Sequence, residues 1–124
     1  MTENGLEAEI TNYIYTEYAV KAEHPWEKTA GNAVFRCQGN GKWFAVLIKD
    51  VKKRSLPIDG DGTVDVLNLK RDPRMSVVDH VGVFPAYHMN KEHWISVLLD
   101  GSVPMEQIQS LIAFSYELVS RKRK

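Results

Sequence analysis

The sequence has little that would tie it to a membrane, an oxidising compartment or a cysteine-based metal site. Its single cysteine, Cys37, cannot form an internal disulfide or supply a cysteine–histidine zinc site. No apolar run approaches the roughly 20 residues that cross a bilayer. Residues 1–5 are polar and acidic, so we expect no secretion signal, no membrane partner and a cytoplasmic location.

The sequence also has no net charge, with 16 basic and 16 acidic residues. Neutrality disfavours strong, non-specific binding to nucleic acid. The charges are unevenly placed, however. Residues 1–27 contain six glutamates and one lysine, whereas residues 36–54 contain six basic residues and only Asp50 as an acid. A basic region opposite an acidic helix could bind phosphate locally.

Sequence patterns for catalysis are missing as well. No serine lies in a nucleophile elbow, and no glycine-rich loop opens a helix. The four histidines have no ligand spacing and no accompanying carboxylate cluster. The acidic turn at residues 59–62 resembles part of an EF-hand loop but lacks its closing glutamate. We therefore expect no metal, no cofactor and no enzymatic activity.

Apolar periodicity predicts three helices and four strands. The first helix covers residues 6–22 and ends before Pro25. A short helix begins at Asp72-Pro73 and stops near Gly82, and the last begins at Pro104. The predicted strands are Val34–Gln38, Trp43–Ile48, Val64–Leu69 and Trp94–Leu99, with Lys49–Arg54 as a charged extension of the first hairpin or a projecting loop.

The resulting order is α-β-β-β-α-β-α. Short turns between consecutive strands imply an antiparallel sheet, whose apolar face the helices must cover. We therefore predict an α+β fold with helices packed on one face. The chain shows no internal repeat or linker, so residues 1–124 are expected to form one domain, which we expect to be a monomer.

Three segments carry a family likeness. They are Val66-x-Asn68-Leu69-Lys70-x-Asp72-Pro73, Pro85-x-Tyr87-His88-Met89-Asn90-Lys91-x-His93-Trp94, and Ser115-Tyr116-Glu117-Leu118-Val119. Together they resemble the MmcQ/YjbR family of small bacterial proteins, and the second segment is the most specific. Two residues depart from the family pattern: Ala86 replaces the usual glycine, and Glu92 stands where a basic residue is common.

This resemblance implies a fold similar to the bacterial frataxin-like (CyaY-like) arrangement, with helices on one side of an antiparallel sheet. It also implies DNA binding, because the family is generally described as binding DNA through a double-wing motif made of β-hairpins. Wings that contact a DNA backbone need ammonium and guanidinium groups at their turns. The candidate phosphate contacts in this sequence are Lys42, Lys49, Lys52, Lys53, Arg54, Lys70 and Arg71, and we expect weak binding with little base recognition.

The dense polar block at residues 85–94 has two interpretations. In the first, its histidine and amide side chains hydrogen-bond the backbone of a buried corner while Trp94 fills the core. In the second, the block forms a pocket for a small anion or metabolite. In an extended segment, positions 88 and 90 point away from positions 91 and 93, so one compact site would need a turn. The candidate pocket residues are Asn68, Lys70, His88, Asn90, Lys91 and Trp94.

Overall fold

The computed structural model describes residues 3–25, 32–72, 82–87 and 89–120. Within these ranges, two helices accompany one antiparallel sheet of five strands. The predicted antiparallel α+β fold is therefore confirmed. The elements are α1 (Glu3–Tyr18), β1 (Ala33–Arg36), β2 (Trp43–Lys52), β3 (Thr63–Lys70), β4 (Val83–Pro85), β5 (Trp94–Leu98) and α2 (Met105–Ser120).

The strands lie in the order β1-β2-β3-β5-β4, and each neighbouring pair is antiparallel. Strands β1, β2 and β3 follow one another in the chain and in the sheet. In such a meander, successive hairpin turns must lie at opposite ends of the sheet, because each strand reverses the direction of the last. The turn between β1 and β2 and the turn between β2 and β3 therefore point in opposite directions.

Both helices pack on one face of the sheet, called here the helical face. Leu47 of β2, Leu67 of β3 and Val97 of β5 belong to a single buried cluster with side chains from both helices. These strand residues alternate with those of the other face, as the two-residue period of a strand requires. The helical members of the cluster are Ile10, Ile14, Ile108, Ile112 and Val119.

The opposite face of the sheet is apolar and buried too. Val66 and Leu98 lie there with Leu56 and Phe84 in one cluster, and Trp94 packs in a second. The sequence interpretation considered only one apolar face. The structure shows that side chains from residues 84–87, from Met89 and Trp94, and from the chain after β2 bury the second one.

Helix α1 ends four residues earlier than predicted. Ala19 adopts a left-handed conformation, with φ of 57°, and this stops the helix after Tyr18. The side chain of Gln38 donates a 2.7 Å hydrogen bond to the Ala19 carbonyl. Beyond this point Glu23 pairs with Val34 in an antiparallel bridge, so the chain is already extended where a last helical turn was expected.

Strand β2 continues through the charged segment as an extension of the hairpin, with a bulge in the middle. Lys49 and Asp50 together oppose a single residue of β3, Asp65, because the register shifts between Ile48 and Val51. Asp50 has a φ of 58°. Its amide donates a 3.0 Å hydrogen bond to the buried carboxylate of Asp65, which satisfies a main-chain group that the bulge would otherwise leave without a partner.

Strand β4 was not predicted from the sequence. It has only three residues, and its pairing with β5 places Phe84 beside Ser96. The helix predicted from Asp72 to Gly82 falls mainly on residues 73–81, outside the described ranges. No helix in the described ranges is long and apolar enough to cross a bilayer.

Candidate nucleic-acid interface

The candidate phosphate contacts form two groups at opposite ends of the sheet, not one patch. Lys42 precedes β2 and Lys52 ends it, so ten residues at 3.3 Å each place them about 30 Å apart. Strand β3 runs the other way and brings its last residue, Lys70, to the same end as Lys42. We call Lys42, Lys70 and Arg71 the sheet base, and the turn from Lys52 to Thr63 the hairpin tip.

Lys49 belongs to neither group. Its ammonium lies 2.6 Å from a carboxylate oxygen of Glu7 on α1, and both side chains are about three-quarters buried. The hydrogen bond to Glu7 raises the pKa of Lys49 above its usual value. The prediction that Lys49 contacts phosphate is therefore not supported by its geometry, since a glutamate of the opening helix already neutralises its charge.

The hairpin tip is anchored to the opposite face of the sheet. The amide of Lys53 donates a 2.9 Å hydrogen bond to the carbonyl of Gly62, and Lys53–Ser55 form a single 3-10 turn. Leu56 follows this turn and is buried against Val64 and Val66. Because Leu56 is buried, the backbone that carries the charged residues of the tip is held in place.

A cleft of about 260 Å³ opens at the hairpin tip. Two glycines in it, Gly60 and Gly62, have φ angles of 115° and 88°, a conformation that side chains rarely allow. A β-carbon added at residue 62 would meet no atom within 4 Å, so the backbone there is open to a ligand. The cleft is lined by Lys52, Arg54, Gly60, Asp61, Gly62 and Thr63.

The hairpin tip contains three cations and two aspartates, Asp59 and Asp61, so its net charge is +1. Lys52 and Arg54 are exposed and Lys53 is half-buried, with its side chain passing beside Gly60. Among the described residues, no carboxylate lies within ion-pair distance of these three cations. Asp61 is the acidic side chain that lines the cleft, and it opposes the binding of an anion there.

The sheet base brings Lys42 and Lys70 to the same end of two neighbouring strands. The Lys70 nitrogen lies 5.2 Å from the centre of the Trp94 ring, which is within the range of a cation–π contact. Burial lowers the pKa of Lys70, and the charge of Lys42 lowers it further. Lys42 itself is exposed. Arg71 is half-buried, and its amide donates a 2.9 Å hydrogen bond to the His93 carbonyl.

The alternative pocket contains a closed internal network. Asn68 and Ser96 are fully buried on neighbouring strands, and the Ser96 hydroxyl donates a 2.5 Å hydrogen bond to the Asn68 side-chain oxygen. The Asn68 amide group donates to the Tyr87 carbonyl at 2.9 Å, and the Tyr87 amide donates to the Ser96 hydroxyl at 2.8 Å. These bonds fasten residues 85–87 to the sheet and occupy the polar groups that a ligand would need.

The remaining pocket candidates build a turn. The Lys91 ammonium donates a 2.9 Å hydrogen bond to the Ala86 carbonyl, and the Asn90 side-chain oxygen accepts one from the Glu92 amide. The Asn90 carbonyl also accepts from the amide of Trp94, whose side chain is buried. Asn90 and Lys91 are exposed, however. The corner is therefore hydrogen-bonded within the chain, as one interpretation predicted, but it is only partly buried in the described residues. His88 lies outside them.

Two features of these sites were not recognised from the sequence. The acidic turn was compared with a calcium loop, whereas its two glycines line the same cleft as Lys52 and Arg54. The alternation of aspartate and glycine at residues 59–62 was the sequence signal from which such a glycine-lined cleft could have been predicted. The proximity of Lys42 to Lys70 depends on strand register, which no local pattern reveals.

Within the described ranges, no group of three or more histidine, cysteine or acidic residues could hold a metal ion.

Comparisons with known proteins agree with this architecture. The family model described as YjbR matches residues 16–118. The uncharacterized protein YyaQ of Bacillus subtilis is 38% identical over 112 residues, which cover 89% of this chain and 94% of that protein. A crystal structure of a Pseudomonas syringae protein is 42% identical and superposes with a TM-score of 0.79, covering 90% of this chain and 97% of that one. A Deinococcus radiodurans crystal structure, 24% identical, shares the fold with a TM-score of 0.65 over 94% of this chain and 79% of that one.

Proposed function

The chain belongs to the YjbR family, and we propose that it binds double-stranded DNA by holding backbone phosphates at the hairpin tip. The observation that carries this proposal is the cleft shared by Lys52, Arg54, Thr63 and the two glycines. An ammonium, a guanidinium, a hydroxyl and main-chain amides are the groups with which proteins bind phosphate. Such contacts position a duplex without reading its bases.

The cleft has room for a single phosphate group. Its volume of about 260 Å³ lies near the lower limit of the roughly 300–1,000 Å³ of typical small-molecule pockets. A phosphodiester group fits into such a space while the sugars and bases remain outside. The alternative pocket has less support, because the Asn68 amide and the Lys91 ammonium are bonded within the protein.

The proposed activity is binding without a chemical step, by a cytoplasmic monomer that needs no cofactor. Of the seven candidate contacts, three lie at the hairpin tip and three at the sheet base, while Lys49 is paired with Glu7. The tip is the better phosphate site because it combines a cleft with exposed cations. Light scattering after size exclusion tests the monomeric state.

The central experiment is a salt titration of binding to a short duplex, comparing Arg54→Ala with Lys21→Ala. Both variants remove one exposed positive charge, but only the first alters the cleft. Arg54→Ala should reduce the slope of log affinity against log salt by about 0.9, the value for one lost phosphate contact. Lys21→Ala should leave the slope unchanged.

Asp61→Asn should change the affinity for DNA in the opposite direction. Removing this carboxylate should strengthen DNA binding by about threefold, because the anion would no longer face a like charge. If the cleft held a cation instead, the same substitution would weaken binding of that cation and leave DNA unaffected. No detectable binding of the unaltered protein at low salt, or equal losses in Arg54→Ala and Lys21→Ala, contradicts the proposal.

A further inference from the structure

The two cationic groups face away from each other along the sheet. The hairpin tip follows β2, and the sheet base lies where β2 begins and β3 ends. Their separation of about 30 Å exceeds the width of the major groove, about 12 Å. The two groups therefore cannot contact the two edges of one groove.

A duplex lying lengthwise against the sheet could in principle reach both groups, since one helical turn spans about 34 Å. The structure does not favour this arrangement. The basic residue between the two groups, Lys49, is paired with Glu7, and exposed Glu9 and Glu17 lie on the same helix. The exposed surface of α1 is thus acidic and repels phosphate. The strand residues in the middle of the opposite face, among them Val66, Asn68 and Ser96, are buried and offer no charge to a phosphate.

The sheet base has the properties of an anion site in its own right. Lys42, which precedes β2, is exposed, and Lys70, the last residue of the neighbouring strand β3, is half-buried at the same end of the sheet. Two like charges brought together in this way are each stabilised by an anion that contacts both. The Lys70 ammonium lies 5.2 Å from the centre of the Trp94 ring, and Lys70 is only half-buried, so an anion can approach it from solvent.

We propose that the sheet base is a second phosphate-binding surface and that one chain therefore bridges two DNA duplexes. This inference rests on the proposed function, because the hairpin tip must bind the first duplex. The added partner is a second nucleic-acid segment. The two duplexes would be bound at opposite ends of the sheet, by groups of residues that lie about 30 Å apart. A monomer with two such ends needs no dimerisation to bridge.

The test is a capture assay with two unrelated duplexes of the same length. One duplex is fixed to beads and the other carries a fluorophore, and the protein is added below the concentration of either. The unaltered protein should retain the fluorescent duplex on the beads. Lys42→Glu, which alters an exposed residue, should lower this capture about tenfold at moderate salt, and its control is Lys21→Glu. A second variant, Lys42→Ala with Lys70→Gln, should have the same effect.

Binding to a single duplex, measured by anisotropy, separates the two proposals. The sheet-base variants should change this affinity by no more than about twofold, because the hairpin tip remains intact. Unchanged capture by both variants overturns the bridging proposal and leaves DNA binding at the tip standing. An equal loss of single-duplex affinity in Lys42→Glu and Arg54→Ala, without any capture by the unaltered protein, shows one duplex touching both ends and also overturns it. No single-duplex binding at all contradicts the proposed function itself.

Discussion

The Ser115 hydroxyl of α2 donates a 2.6 Å hydrogen bond to the main-chain carbonyl of Phe44 on β2. The same oxygen accepts a 2.9 Å hydrogen bond from the amide of Lys70 on β3. One fully buried hydroxyl therefore ties the last helix to two neighbouring strands, next to the residues of the sheet base.

Replacing Ser115 by alanine should leave both main-chain groups unsatisfied in the core. We expect a loss of about 2 kcal/mol in the free energy of unfolding, measured by urea denaturation. Ser110→Ala, at an exposed position of the same helix, is the matched control and should change stability by less than about 0.5 kcal/mol. Equal effects of the two substitutions would show that the buried hydroxyl has no such role.

Asn68→Ala distinguishes a structural network from a ligand pocket. The substitution removes the side chain that bonds both Ser96 and the Tyr87 carbonyl, and should destabilise the protein by about 2–3 kcal/mol. DNA affinity of the folded variant should stay unchanged. Asn12→Ala, on the exposed side of α1, is the control for stability. A variant that keeps its stability but loses affinity for a small anion would instead favour the pocket.

The pairing of Lys49 with Glu7 predicts a specific dependence on pH. Because the pKa of Lys49 is raised in the folded protein, its contribution to stability is complete at lower pH and is lost as the pH rises through that value. Lys49→Met should therefore cost about 1 kcal/mol at neutral pH. The difference from the unaltered protein should shrink above pH 10.5, the ordinary value for lysine. Urea denaturation across this range measures it, and a constant difference would contradict the assignment.

The same substitution should have no effect on DNA binding. Lys49 lies beside α1 and is already neutralised, so its removal takes no charge from the hairpin tip or the sheet base. In the salt titration, Lys49→Met should keep the slope of the unaltered protein. A reduced slope would show that Lys49 does contact phosphate.

Gly82 should tolerate no side chain. Its φ is 89°, and an added β-carbon would lie 2.6 Å from a methyl carbon of Val103 and 2.9 Å from the Ser102 hydroxyl. Gly82→Ala should lower the free energy of unfolding by about 2 kcal/mol or more, through backbone strain and crowding together. Gly39→Ala, where a β-carbon meets no atom within 4 Å, should be close to neutral. Thermal and urea denaturation of the pair would show whether the contrast holds.

Much of the fold could be predicted because local patterns determine it. Alternating apolar residues located β2, β3 and β5, and helical spacing placed Ile108, Ile112 and Val119 on one buried face of α2. The three residues of β4 are too few to show a period. The predicted end of α1 was wrong because it was placed by Pro25, whereas the backbone has already left the helix at Ala19.

The candidate site was harder to predict, since it depends on distant contacts. The sequence supplied the identity of the basic residues but not their grouping. Lys49 meets a residue 42 positions away, and Lys42 lies at the same end of the sheet as Lys70 only because β2 and β3 pair in one particular register. Charge density along a chain does not show which cations share a surface.

The bulge opposite Asp65 affects how this hairpin can change in evolution. The extra residue in β2 allows Ile48 and Val51 to face the same side despite their odd spacing. Deleting Asp50 would restore regular pairing and leave both side chains where they are, while the strand lost its local bend. The direction in which the turn points can thus vary by a single insertion or deletion, without any change to the hydrophobic core beneath it.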